Sequence, residues 1–200
     1  HAELIGYGMS SDAHHMTGPD PRGLGASRAM RAALRDAGRG PDDVDFVSLH
    51  GTGTSFNDLM ERQALGDLLG ARAAQVPCNS IKGAIGHTLG AAGAFEALLC
   101  VRIVATGLIP PTSGLRTIDP AIDLDVVRGT ARKADVGVAR HLAGQRAREA
   151  AQARLGGGVV GLARPPELPR GRHDAHDAAG PPRDHRPEHL PEHEVRAAEV

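Results

Sequence analysis

Apolar residues recur with two different periods along the first two-thirds of the chain, and the switches between them outline a fold. Glu3–Met9 reads as a short apolar strand, followed by a polar loop over Ser10–Pro21. Leu24, Ala26, Met30, Ala33, Leu34 and Ala37 then fall at helical spacing, with Gly38 placed to stop the helix. Val44–Leu49, partly β-branched and aromatic, predicts a second strand ending at His50. Asn57 or Asp58 can cap a helix whose inner side is Leu59, Ala64, Leu65, Leu68 and Leu69, closed by Gly70. Gln75–Ile81 predicts a short strand or extended segment, and Pro110-Pro111 opens an extended loop. Ala91–Ala105 is apolar almost all round, which predicts a long buried helix. This alternation of strand and helix argues for an α/β fold with a parallel component.

Near residue 137 the periodicity is lost. Beyond it the chain is rich in Arg, Ala, Pro, Gly and His and has neither lysine nor an aromatic residue. Pro165, Pro166, Pro169, Pro181, Pro182, Pro187 and Pro191 each remove an amide donor and fix φ, so residues 164–200 are expected to be disordered. A helix is conceivable over Ala139–Leu155, though its arginines fall on every face. The expected organisation is therefore an ordered segment, 1–136, and an aberrant low-complexity tail, 137–200, most of it disordered. Arg, Ala, Pro and Gly are what a GC-rich gene gives out of frame, so a frameshifted reading is expected, with a genuine low-complexity extension as the rival. The start at His1, without an initiator methionine or signal pattern, reads as a cut edge.

Composition narrows the function classes. A formal charge of −1 gives no argument for nucleic acid or an acidic membrane surface. No apolar run is expected to reach the roughly 18–20 residues that span a bilayer. Cys78 and Cys100 form no Cys-x-x-Cys motif and no disulfide framework, which suits a reducing cytoplasm.

The chemistry concentrates at two glycine-flanked histidines. His50 opens His-Gly-Thr-Gly-Thr (50–54), and His87 lies within Lys82-Gly-Ala-Ile-Gly-His-Thr-Leu-Gly-Ala-Ala-Gly93. Each follows a strand-like run and precedes a helical pattern, a corner where a scaffold holds a side chain rigidly yet accessibly. Two such imidazoles can aim N–H donors at one substrate oxygen. The glycines are not a phosphate cradle, because Lys82 precedes them and neither phosphate-binding glycine pattern is present.

Together with Asn57-Asp58-x-x-Glu61, Ser10-Ser11-Asp12-Ala13, His15-Met16-Thr17 and Pro19, these motifs resemble the β-ketoacyl synthases, in register from about residue 1 to about 136. These are the thiolase-like condensing enzymes of fatty acid and polyketide synthesis. The resemblance implies half of a thiolase-like αβαβα layered fold, the C-terminal half, with the tail appended and the chain truncated at both ends. It implies a decarboxylative Claisen condensation of an acyl thioester with malonyl-carrier protein, in which His50 and His87 converge on the malonyl thioester carbonyl as catalytic residues. One of the two also assists the nucleophile, and the sequence does not say which. Lys82 and Glu61 are implied as an orienting ion pair that ties the two corners together. Thr52 and Thr54 are implied beside the carrier's phosphopantetheine arm, with closure of the turn as the local alternative.

The nucleophilic cysteine belongs to the other half of the family fold, and Cys78 and Cys100 read as small apolar fillers. No metal or dissociable cofactor is implied; His173, His176, His185, His189 and His193 in the tail offer at most an adventitious metal site. The implied partners are an acyl carrier protein and a second subunit, in a homodimer or heterodimer, with no nucleic acid and no membrane. Without the other half and the family's Gly-Phe-Gly-Gly loop, this chain alone is expected to be inactive. Ser55-Phe56-Asn57-Asp58 favours the stand-alone synthases over modular ones. The rival readings are a non-catalytic, chain-length-factor-like partner subunit, a pseudogene product, and a biosynthetic thiolase, the last disfavoured by the run from Lys82 to Gly93.

Overall fold

A computed structural model describes residues 2–15, 18–142 and 157–163. Among these described residues, seven strands and four α-helices run in the order β1 (Glu3–Ser10), α1 (Leu24–Asp36), β2 (Phe46–Ser48), α2 (Ser55–Leu69), β3 (Cys78–Asn79), α3 (Lys82–Ile85), α4 (Ala92–Thr106), β4 (Leu108–Ile109), β5 (Arg132–Lys133), β6 (Val138–Leu142) and β7 (Gly157–Ala163). Five strands form one sheet in the order β1-β7-β6-β2-β3. The expected parallel component is present: β2 runs parallel to β3, and also to β6, which lies beyond residue 137. β7 pairs antiparallel with β1 and with β6. β4 and β5 form a separate antiparallel pair.

Alternation along β2 sorts the core into two layers. Val47 and Leu49 join Ala26, Ala29, Met30 and Ala33 of α1 and Met60, Ala64, Leu65 and Leu68 of α2 in one cluster. Phe46 packs with Cys100, Ile103 and Val104 of α4 in the other. Helices therefore cover both faces, as a parallel sheet requires. β1 rests on α1 through Gly6 and Gly8, where a Cβ would run into the carbonyls of Ala33 and Ala29.

Four expectations need correction. The helix after His50 begins at Ser55 behind Thr54, so Asn57 and Asp58 sit in its first turn and do not cap it. The strand expected over Gln75–Ile81 is reduced to Cys78–Asn79, because the Gln75 and Val76 N–H groups donate back to the Arg72 carbonyl of the preceding 3-10 turn. The conceivable helix over Ala139–Leu155 is not formed at 139–142, which are strand β6; 143–156 lie outside the described residues. The sheet thus continues past residue 137, through two strands stabilised by non-local pairing that composition does not register. The disorder expected over 164–200, and the tail histidines, also lie outside the described residues.

The fourth correction concerns α4, which is buried on one face only. Cys100, Ile103 and Val104 are inside, whereas Phe95 and Leu98 are exposed. With the 3-10 turn Leu89–Ala91 in front of it, the run Leu89–Thr106 reaches 18 residues at a mean hydropathy of 1.6, long and apolar enough to cross a membrane by length and composition alone. Its buried Glu96, paired with Lys82, is the mark of a core helix packed on a sheet.

Candidate functional site

Parallel pairing places both histidine corners at the carboxyl ends of adjacent strands. Leu49 N–H donates to Asn79 O at 2.7 Å, so the last β2 pairing falls one residue before His50. From β3 the chain passes Ser80 and Ile81 into the single turn α3, then Gly86, whose φ of 76° releases it towards His87. Crevices at the carboxyl ends of parallel strands are where open α/β sheets bind ligands. The two rings meet there: their centroids are 5.2 Å apart, edge to face at 82°. His50 is buried and His87 exposed, so one imidazole forms the floor and the other faces solvent.

Backbone geometry fixes the tautomer of His87. Leu89 N–H donates to His87 Nδ1 at 3.2 Å, which requires a lone pair there and leaves the ring hydrogen on Nε2. Leu89 adopts φ 50° to present that amide, a left-handed conformation costing a branched residue about 1–2 kcal/mol.

Glu61 holds the other corner, but not through Lys82. Its Oε1 accepts the His50 N–H at 2.7 Å, and its Oε2 accepts the Gly51 N–H at 2.8 Å and Asn57 Nδ2 at 2.7 Å. Burial pushes its carboxyl up to about 7, against the opposing pull of these three donors. The expected Lys82–Glu61 ion pair is absent. Lys82 instead pairs with Glu96 of α4, and both side chains are buried. The reason is competition: main-chain donors consume both Glu61 oxygens, while Glu96, the sole acid of α4, requires a counter-charge inside the core.

Thr52 Oγ1 and Thr54 Oγ1 lie 2.9 Å apart at the tip of the His50 loop and share one hydrogen across the turn. Cys78 and Cys100 are free and buried. Burial pushes both thiols up, Cys100 to about 12, away from the thiolate a nucleophile needs. Among the described residues no three metal-ligating side chains cluster.

The family model for the beta-ketoacyl synthase C-terminal domain matches residues 1–116. The chain belongs to the beta-ketoacyl synthase family. It is 42% identical over 139 residues to a 3-oxoacyl-[acyl-carrier-protein] synthase 2 of Synechocystis sp., covering 70% of this chain and 33% of that one. Among solved structures it resembles the ishigamide ketosynthase/chain length factor, with a TM-score of 0.70 at 36% identity over 81% of this chain and 38% of that one. A ketosynthase solved in complex with its type II polyketide acyl-carrier protein aligns with a TM-score of 0.72 at 30% identity, again over 81% and 38%. The chain spans about a third of the length of the curated relatives it matches. The αβ half-fold read from the synthase motifs is thus the fold of ketosynthase structures.

Two residues of the site escape a reading of the motifs alone. Glu96 is the sole acid of a mostly apolar helix, and a carboxylate buried there needs a partner that the sequence does not name. Ser80 carries no such signal, because its role depends on main-chain groups that only the folded chain brings together.

Proposed function

We propose that this chain supplies the two-histidine half of an acyl-carrier-dependent β-ketoacyl synthase. The observation that carries the proposal is the edge-to-face meeting of His50 and His87 at the ends of parallel strands. In the reaction, malonyl-carrier thioester loses carbon dioxide as its carboxylate C–C bond breaks, leaving an enolate. The enolate carbon attacks an acyl thioester held on a cysteine of the other half; the C–S bond breaks and the thiolate is regenerated. Nε2–H of His87 and the imidazole of His50 donate to the malonyl thioester oxygen as negative charge grows on it. The Lys82–Glu96 pair and the Glu61 carboxyl act on orientation, not on proton transfer.

The Thr52 and Thr54 hydroxyls, exposed at the loop tip, are assigned to the amides of the carrier's phosphopantetheine arm. The partners proposed are the acyl carrier protein and a second subunit of the complete enzyme, in a reducing cytoplasm that suits the free thiols. This chain by itself condenses nothing, since neither of its cysteines is placed as the nucleophile.

A chimera tests the proposal. Residues 1–136 replace the matching segment of the Synechocystis 3-oxoacyl-[acyl-carrier-protein] synthase 2, and malonyl-carrier decarboxylation is followed. His50→Ala and His87→Ala are each expected to slow it by about 10²–10³-fold, the usual consequence of removing a donor to a developing oxyanion. A folded, active chimera indifferent to both substitutions overturns the reading. So does decarboxylation by the purified chain alone that is lost on His50→Ala, as far as its inactivity is concerned.

A further inference from the structure

Ser80 is 3% exposed and stands between the two histidine corners. Its Oγ donates to the Gly51 carbonyl at 3.2 Å, with the His50 carbonyl at 3.5 Å sharing the same hydrogen. The same oxygen accepts the N–H of Lys82, the first residue of α3, at 3.3 Å. Its own N–H donates to Thr112 Oγ1 at 3.2 Å, which anchors it to the loop after Pro110. The approach is close enough that a Cβ on Gly51 would lie 2.5 Å from Ser80 Cβ, and Gly51 adopts φ 48°. The His50–Gly51 segment is consequently gripped on both sides, its N–H groups by Glu61 and its carbonyls by Ser80.

We infer that Ser80 is a positioning residue that couples the two imidazoles, setting the His50 loop and the turn bearing His87 relative to each other through one buried hydroxyl. The atoms are suited to it. A hydroxyl both donates and accepts, so a single oxygen can satisfy a carbonyl of one corner and an amide of the other. The connection that the family resemblance implied through a Lys82–Glu61 ion pair is made here, by main-chain groups meeting at a serine. The relevance of this coupling to condensation rests on the synthase reading above; the coupling itself rests on geometry.

The test uses the full chain without substrate, so that its failure is separate from failure of the chimera. Histidine-selective ¹H–¹³C spectra, assigned with His50→Ala and His87→Ala, report both rings. Ser80→Ala keeps the Cβ and removes the joint, and is expected to shift the Cε1–H signals of both His50 and His87. Ser80→Cys, which retains a weak donor in the same place, is expected to shift both by less. Ser27→Ala deletes another buried hydroxyl, one bonded to Asp67, and is expected to lower stability while leaving both signals in place. The inference is overturned if Ser80→Ala shifts neither ring or only one, or if Ser27→Ala shifts both as far. Should Ser80→Ala fail to fold, Ser80→Cys decides: paired shifts support the coupling, and unmoved rings overturn it.

Discussion

Lys82 and Glu96, fourteen residues apart, form a buried ion pair that joins α3 to α4, with 7% and 1% of their side chains exposed. Charges this deep are held by each other. Lys82→Met leaves the Glu96 carboxylate without its counter-charge and is expected to cost about 3–5 kcal/mol, whereas Lys82→Met/Glu96→Leu recovers most of the loss. Urea unfolding of the two single variants and the double variant measures the coupling. The same cycle run on Lys82 and Glu61 should give a coupling near zero; strong coupling there would restore the ion pair read from the sequence.

Glu61 predicts a pH dependence with a definite sign. Its carboxyl titrates at about 7 in the folded chain, against an ordinary value of 4.5. Between these values the folded chain keeps a proton that the unfolded chain has released. The stability Glu61 contributes is therefore fully present below pH 4.5 and lost as the pH rises through 7, by about 3 kcal/mol. Glu61→Gln has no such proton to lose, so the stability of the natural chain relative to the variant should fall across this window. A relative stability that rises with pH would show that the three donors, and not burial, dominate the carboxyl.

Gly51 and Gly53 both have positive φ, 48° and 70°, but only the first is crowded. A Cβ on Gly51 meets Ser80, while one on Gly53 meets nothing within 4 Å. Gly53→Ala is expected to cost about 1 kcal/mol, the backbone penalty alone. Gly51→Ala must add steric displacement of the His50 peptide and should cost clearly more, on the order of 1–3 kcal/mol beyond that. Thermal unfolding of the pair ranks them, and equal losses would mean that Ser80 does not press on Gly51.

The cysteines give a chemical test of the same interior. Cys78 and Cys100 are 1% and 0% exposed, and both thiols are pushed up by burial. An aromatic disulfide reagent at pH 8 is expected to titrate neither in the folded chain and both in denaturant. Rapid native labelling of Cys78 would contradict its burial and its reading as an apolar filler.

Much of this arrangement is legible in the chain before folding. The helical spacing from Leu24 to Ala37 and the β-branched run ending at Leu49 are local patterns, and both elements form. The motifs around His50 and His87 also announce the corners that converge. Lys82's partner was not legible, because Glu61 and Glu96 both lie on buried helix faces and only the packing decides which meets the lysine. β6 and β7 were hidden for another reason. Strands that owe their order to distant partners, such as β7 paired with β1 and β6, need not look ordered by composition. The exposed side of α4, with Phe95 and Leu98, was unreadable because an all-round apolar helix does not declare which of its faces its own chain will cover.

The grip on the His50–Gly51 peptide is made by main-chain hydrogen bonds to Glu61 and Ser80, and the side chains at the loop tip take no part in it. The Thr52 and Thr54 hydroxyls bond each other, and Phe56 is largely exposed, so none of these three side chains belongs to that grip. This gives protein engineering a clear division of labour. On the function proposed above, the residues at 52, 54 and 56 are the ones to vary in retuning the crevice, while 51, 61 and 80 form a chassis to be left alone.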